Sequence, residues 1–169
     1  MSPIAVFVGP PGAGKTTVAG AVAAMLGVTV RDTDQDIEAA EGISVQDIFV
    51  DHGEAHFRAL EEKAVAAALS DHDGVLALGG GAILSPTTRA LLQDQRVIFL
   101  DVGLVAAVAR VGMNANRPLL LGNVRSQMKN LMDQRRPLYR ACSRFAIVTD
   151  TLDAAHVAEQ AAALIQEDR

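Results

Sequence analysis

An α/β fold built on a parallel sheet buried on both faces is what this sequence predicts, and three observations predict it. Short, unbroken apolar segments rich in β-branched residues recur along the chain, for example at Ile4–Val8, Gly74–Leu78 and Val97–Asp101. Stretches of helical character separate them. The chain has 169 residues and is 50% hydrophobic, which suits one domain with a substantial core. A strand with one face in water alternates apolar and polar residues; an unbroken apolar strand needs cover on both faces, which crossover helices supply.

The elements follow in order. Ile4–Val8 is a buried strand, and Lys15–Leu26 an Ala-rich helix stopped at Gly27. Val28–Arg31 reads as a second strand. Thr33–Ala40 is a short helix ending near Gly42, and Ser44–Asp51 is another, with Ser44 as its N-cap. Glu54–Leu69 is a longer helix whose apolar stripe is Phe57, Leu60, Ala64, Val65 and Ala68. The third strand is Gly74–Leu78. Pro86–Leu92 is helical, with proline in the first turn where its missing N–H costs nothing. Val97–Asp101 is the fourth strand and Val105–Val111 a helix. Residues 112–123, punctuated by Gly, Asn and Pro, read as irregular. Val124–Tyr139 is helical with Pro137 disturbing its end. Phe145–Val148 is the fifth strand and Ala154–Gln166 the last helix.

Charge is uneven. The net charge is −5, which argues against a general nucleic-acid binder. Residues 102–149 nevertheless hold seven Arg and one Lys against a single acid, Asp133, for a net of +7, leaving −12 elsewhere. That pattern suits a small anionic ligand. A single cysteine, Cys142, excludes an internal disulfide, and the four His are too scattered for a zinc site. Ile4–Val8 is too short for a signal-peptide core or a membrane span, so a soluble, cytoplasmic chain without membrane or nucleic-acid partners is expected.

In parallel sheets, ligands sit beyond the carboxyl ends of the strands. After the first strand comes Gly9-Pro10-Pro11-Gly12-Ala13-Gly14-Lys15-Thr16, a G-x-x-x-x-G-K-[ST] phosphate loop between a strand and a helix. Its backbone N–H groups wrap a phosphate, Lys15 reaches the β- and γ-phosphates, and the Thr16 hydroxyl binds Mg²⁺. After the second strand comes Asp32-Thr33-Asp34. One carboxylate suits Mg²⁺ through water and the other an acceptor hydroxyl; the competing use is helix capping by Thr33 or Asp34. After the third strand comes Gly79-Gly80-Gly81, a run that admits close approach by a ligand or is simply a flexible turn. After the fourth strand and its helix, Gly112 to Gly122 brackets Arg117-Pro118, a hinged lid or a surface loop. Arg58 has Glu61 three residues on, either a braced ligand anchor or a surface ion pair. Arg136 follows Arg135 near a helix end, where cations are favoured in any case.

Taken together, these segments resemble the shikimate kinases, within the nucleoside monophosphate kinase-like branch of P-loop folds. The likeness spans nearly the whole chain. It rests on Asp32-Thr33-Asp34, on Ser44–Phe49 leading to Gly53-Glu54 and Phe57-Arg58, on Arg58-x-x-Glu61 followed by Val75–Ile83, on Arg117-Pro118-Leu119-Leu120, and on Arg135-Arg136-Pro137-Leu138-Tyr139 as an R-x-P-L-Y segment.

The resemblance implies a single three-layer α/β/α domain over residues 1–169, a P-loop kinase fold with a five-stranded parallel sheet in the order 2-3-1-4-5. It implies a phosphate loop at 9–17, an acceptor region at about 32–61 and a lid at about 112–124. The activity implied is ATP-dependent phosphorylation of the 3-hydroxyl of shikimate, by a monomer. MgATP would lie on Gly12, Ala13, Gly14, Lys15, Thr16 and Thr17, with Mg²⁺ held by Thr16 and, through water, Asp32. Arg110 would lie near the adenine and Arg117 over the phosphates. Arg58 and Arg136 would grip the acceptor carboxylate, and Asp34 would bind the ring hydroxyls, including the one that attacks. Gly80 and Gly81 would add backbone contacts, and Phe49 and Phe57 would pack on the ring. A gluconate or nucleotide kinase of the same branch is not expected to combine Arg58-x-x-Glu61 with Gly79–Gly81. A catalytically silent nucleotide-binding module is expected to have lost Lys15, Asp34 or Arg117, and all three are present.

Overall fold

In a computed structural model, β1 (Ala5–Val8), β2 (Val30–Asp32), β3 (Val75–Ala77), β4 (Val97–Asp101) and β5 (Phe145–Val148) form one wholly parallel sheet, ordered β2-β3-β1-β4-β5. That is the order the resemblance implies. The structure describes residues 1–113 and 121–169, with backbone alone at 112, 113, 121 and 122. The helices are α1 (Lys15–Leu26), α2 (Thr33–Glu41), α3 (Val45–His52), α4 (Glu54–Asp71), α5 (Pro86–Leu92), α6 (Leu104–Met113), α7 (Leu121–Cys142) and α8 (Ala154–Glu167). A single 3-10 turn at Ala82–Leu84, not anticipated from the sequence, follows the glycine run.

Alternation along β1 divides the core. Ala5 and Phe7 face a layer built with Val18, Ala19 and Val22 of α1 and Val157, Ala161 and Ile165 of α8. Val6 and Val8 face the opposite layer, with Val65 and Ala68 of α4, Leu92 of α5 and Tyr139 of α7. A small third cluster, Ile37, Ile48 and Phe57, ties α2, α3 and α4 together beyond the end of the sheet. Among the described residues no helix is long and apolar enough to cross a membrane.

Several boundaries shift by one to three residues, and residues 112, 113 and 121–123, expected to be irregular, are helical because α6 runs to Met113 and α7 starts at Leu121. Two further differences have a visible cause. β2 starts at Val30 because Val28 N–H is used by Ala23 O to close α1, and it extends to Asp32, which pairs with Ala77. α7 runs past Pro137 to Cys142 rather than being disturbed there. Proline inside a helix costs about 3 kcal/mol. Burial of Tyr139, stacked on Phe99 at 5.1 Å, holds the last turns in place against that cost. The Ser44 cap is found as expected, accepting from Asp47 N–H.

This topology positions the site. β1 lies between β3 and β4, so the chain leaves it toward one face while its neighbours' crossovers lead away on either side. The crevice at that switch point lies beyond the carboxyl ends of β1, β2 and β3.

Candidate functional site

The loop after β1 owes its shape to glycine. Gly12 and Gly14 have φ of +81° and +84°, in the left-handed region that a side chain strains. A Cβ on Gly12 would lie 2.9 Å from Ala107 O, so α6 packs directly on the loop. α1 has no side-chain cap at Gly14, which leaves its first N–H groups facing the crevice, as an anion site requires. Lys15 Nζ donates to Gly9 O at 2.7 Å and Pro10 O at 3.0 Å. Burial lowers its pKa to about 8, with the Asp34 and Asp32 carboxylates pulling it back up. The Thr16 hydroxyl donates to Asp32 Oδ2 at 2.8 Å.

Asp32 does more than the sequence indicated. Its Oδ1 accepts from Asp34 N–H at 2.9 Å and Gln35 N–H at 3.3 Å, so Asp32, rather than Thr33 or Asp34, caps α2. Thr33 is buried and accepts from Gly79 N–H at 3.3 Å. Asp34 is the exception in this well-bonded corner. Its Oδ1 is buried and has no hydrogen-bond partner. Burial, followed by the charges of Asp32 and Glu61, raises its pKa to about 6 against the pull of Lys15.

The glycine run after β3 is a close-approach site and not merely a turn. A Cβ on Gly79 would strike the Asp34 carboxylate, and one on Gly81 would strike the Arg58 guanidinium. Arg58 Nη1 donates to Glu61 Oε1 at 2.6 Å, and its guanidinium lies 5.7 Å and 5.4 Å from the ring centroids of Phe49 and Phe57. Glu61 is buried, so this is no surface ion pair; burial raises its pKa, partly offset by Arg58. Phe49 and Phe57 pack at 4.6 Å. Phe57 is buried and Phe49 half-buried, so the rings form a backing against which the Arg58 fork lies, and the fork suits a carboxylate.

α7 supplies a correction. Arg136, expected at the acceptor carboxylate, instead faces the end of β4, with Nη2 3.2 Å from Asp101 Oδ1 and donating to Val102 O at 3.2 Å. Arg135 is the arginine that turns inward. Its charge acts on the Tyr139 hydroxyl, four residues on along α7, and on Glu61 and Lys15. The signal for it lay in the R-x-P-L-Y segment, whose arginine stands two residues before the proline and is therefore Arg135.

On the opposite flank, Arg110 donates to Gly12 O at 3.1 Å and Thr149 O at 3.0 Å, linking the phosphate loop to the end of β5. It borders a hollow of about 240 Å³ that includes Thr17, Leu152, Asp153 and Val157, sized for a flat heterocycle. The cleft at the phosphate loop, about 540 Å³, is lined by Lys15, Thr16, Asp32, Asp34, Gly79 and Gly80 among others. Among the described residues there is no cluster of three His, Cys, Asp or Glu side chains fit for a metal. Thr16 beside Asp32 instead suits a hard cation that keeps most of its shell as water and phosphate oxygens. The expected lid residue Arg117 lies outside the described residues, as do residues 114–120 as a whole.

Known proteins resemble the chain closely. A family model described as shikimate kinase matches residues 11–166. A shikimate kinase of Salinispora arenicola is 54% identical over 98% of this chain and 99% of its own length. One from Saccharopolyspora erythraea is 50% identical over 100% of this chain and 97% of its own. Among solved structures, the shikimate kinase of Acinetobacter baumannii in complex with shikimate superposes with a TM-score of 0.91 at 33% identity, covering 100% of this chain and 95% of that one.

Proposed function

The chain belongs to the shikimate kinase family, and from that premise we infer that it transfers the γ-phosphoryl group of ATP to the 3-hydroxyl of shikimate. The observation that carries this reading is Asp34 Oδ1, a buried acceptor without a donor, set between Lys15 of the phosphate loop and the Arg58–Glu61 pair. A substrate hydroxyl held there is close to both the phosphate anchor and the carboxylate anchor.

In this mechanism the first-turn N–H groups of α1 and Lys15 hold the phosphates, and Arg110 borders the base. Arg58 and Arg135 grip the acceptor carboxylate from opposite elements, against the Phe49 and Phe57 rings. Asp34 accepts the hydrogen bond of the attacking hydroxyl and takes its proton as the new O–P bond forms and the bond to the β-phosphate bridging oxygen breaks. Phosphoryl transfer asks little covalent chemistry of the protein, so orientation and charge placement carry most of the catalysis. Mg²⁺, which Thr16 and Asp32 would hold, neutralises phosphate charge when bound. By the sequence resemblance, Arg117 would offset phosphate charge in the transition state. The protein works as a cytoplasmic monomer in this reading.

A coupled assay with ATP and shikimate tests the reaction; turnover of gluconate or a nucleoside monophosphate with none of shikimate would overturn the acceptor. The two α7 arginines are separable. Arg135→Ala is expected to raise the shikimate KM by about 10- to 100-fold, the cost of losing one charge-assisted fork, with the ATP KM within twofold. Arg136→Ala is expected to leave the shikimate KM within about threefold and to lower Tm slightly through Asp101. The reverse pattern in the two KM values would return the anchor to Arg136. Gly81→Ala, which puts a methyl on the Arg58 guanidinium, is expected to raise the same KM by about tenfold, since a displaced fork loses its bidentate geometry.

A further inference from the structure

Tyr139 has the largest side chain that is fully buried among the described residues, and nothing in the reaction above uses it. A buried phenol needs partners for its oxygen. This one has the Gly80 carbonyl, to which its O–H donates at 2.5 Å, and the Arg135 charge acts on it from the same helix. Arg135 lies four residues earlier on α7, so the two side chains are neighbours on the helix surface. Phe99 of β4 fixes the ring from behind, stacked at 5.1 Å with 26° between planes.

Gly80 is the middle of the glycine run. Its flanks are already held: Gly79 N–H by Thr33, and the far side of Gly80 by Pro11 of the phosphate loop, which a Cβ on Gly80 would approach to 3.2 Å. The Gly80 carbonyl is thus the remaining handle on a segment wedged between the phosphate loop and the acceptor pocket. The phenol joins that handle to the arginine that arrives from α7.

We propose that Tyr139 is a positioning residue for the acceptor: its hydroxyl locks Arg135 and the Gly79–Gly81 segment into one geometry, so the carboxylate anchor and the surface beneath the substrate ring keep a fixed spacing. This rests on the acceptor reading of Arg135 given above. Because burial pushes the phenol up to about 12, the hydroxyl stays a donor to Gly80 throughout the working pH range. Packing alone would need the ring but not the oxygen.

Tyr139→Phe removes one oxygen and keeps the ring on Phe99. It is expected to raise the shikimate KM by about five- to tenfold, the size of one hydrogen bond between neutral groups, with the ATP KM within twofold. Amide hydrogen exchange over residues 79–84 is expected to speed up at least tenfold, while the β1 and β4 amides are unaffected. Phe99→Leu, which loosens the ring but keeps the hydroxyl, is the packing control; it is expected to lower Tm with less than a twofold change in shikimate KM. Unchanged exchange at 79–84 in Tyr139→Phe would overturn the proposal. So would a KM rise shared equally by ATP and shikimate, or one matched by Phe99→Leu. The exchange measurement needs no substrate, so it decides the role of Tyr139 even if wild-type protein fails to turn over shikimate, a failure that would count against the acceptor reading alone.

Discussion

Asp34→Asn is expected to lower kcat by about 10²- to 10⁴-fold, the usual worth of a positioned proton acceptor, while making the unliganded protein more stable at neutral pH. Both effects come from one environment. The carboxylate is desolvated, faces Asp32 and Glu61, and has an oxygen without a donor, so the fold prefers its protonated form and its pKa rises from 3.8 to about 6. Between those values the native state holds a proton that the unfolded chain has released. Stability therefore falls as pH rises through that window, and the penalty is complete above about pH 6. Asparagine removes the ionisation. Two units would correspond to nearly 3 kcal/mol; since Asp34 opens onto a wet cleft and Lys15 also loses its partner, about 1–2 kcal/mol is expected, or a Tm gain of about 2–6 °C at pH 7.5. At pH 4 the gain should vanish. Thermal scans of both proteins without nucleotide or metal, at the two pH values, measure this. A Tm gain of equal size at pH 4 and pH 7.5 would show that ionisation is not its source, and a kcat near wild type would remove Asp34 from the chemistry.

The same physical account explains what the sequence revealed and what it hid. The phosphate loop and its helix were readable because backbone conformation, helix polarity and two side-chain roles are encoded in eight adjacent residues, Gly9 to Thr16. The strands β1 and β4 were readable because a buried strand has no use for polar residues, and β5 because Phe145–Val148 is equally apolar, although as an edge strand it leaves Ala146 and Val148 exposed. β2 was misplaced by two residues because its start depends on how α1 ends, through Val28 and Ala23. Pro137 misled because local propensity knows nothing of Phe99, whose contact with Tyr139 holds the helix together. The two α7 arginines show the same limit more sharply. Consecutive helix residues point about 100° apart, so Arg135 and Arg136 straddle Tyr139, the first acting on its hydroxyl and the second facing Asp101. Which of them meets the acceptor depends on the rotation of α7, fixed by tertiary contacts. The basic stretch of the chain also means less than its charge suggested. Arg136 and Arg140 pair with Asp101, Arg144 with Asp168, and Lys129 with Asp133, so much of that positive charge is neutralised locally.

Lys15→Ala is expected to cost about 10³-fold or more in kcat, because Lys15 is a preorganised cation at the phosphate anchor in a half-buried setting where charge acts strongly. It should do so without unfolding the protein. Lys15 titrates at about 8 in the fold against 10.5 in an unfolded chain, so between those values the unfolded state binds the extra proton. Wild-type stability consequently rises with pH across about 8 to 10.5, and below pH 8 the charged ammonium works against the fold. Its bonds to Gly9 O and Pro10 O offset part of that cost. At pH 7 the variant should therefore melt no lower than wild type, and any advantage should shrink as pH passes 8. Calorimetry across that range, beside single-turnover kinetics, tests both halves; a variant that loses activity only because it melts well below the assay temperature would sink the electrostatic argument. The wild-type enzyme offers an independent check. Its kcat/KM for ATP, which reports the free enzyme, should decline as pH rises through about 8, while kcat stays flatter because bound phosphate oxygens restore the lysine proton. A lysine that serves only to brace its own loop would show no such difference between the two profiles.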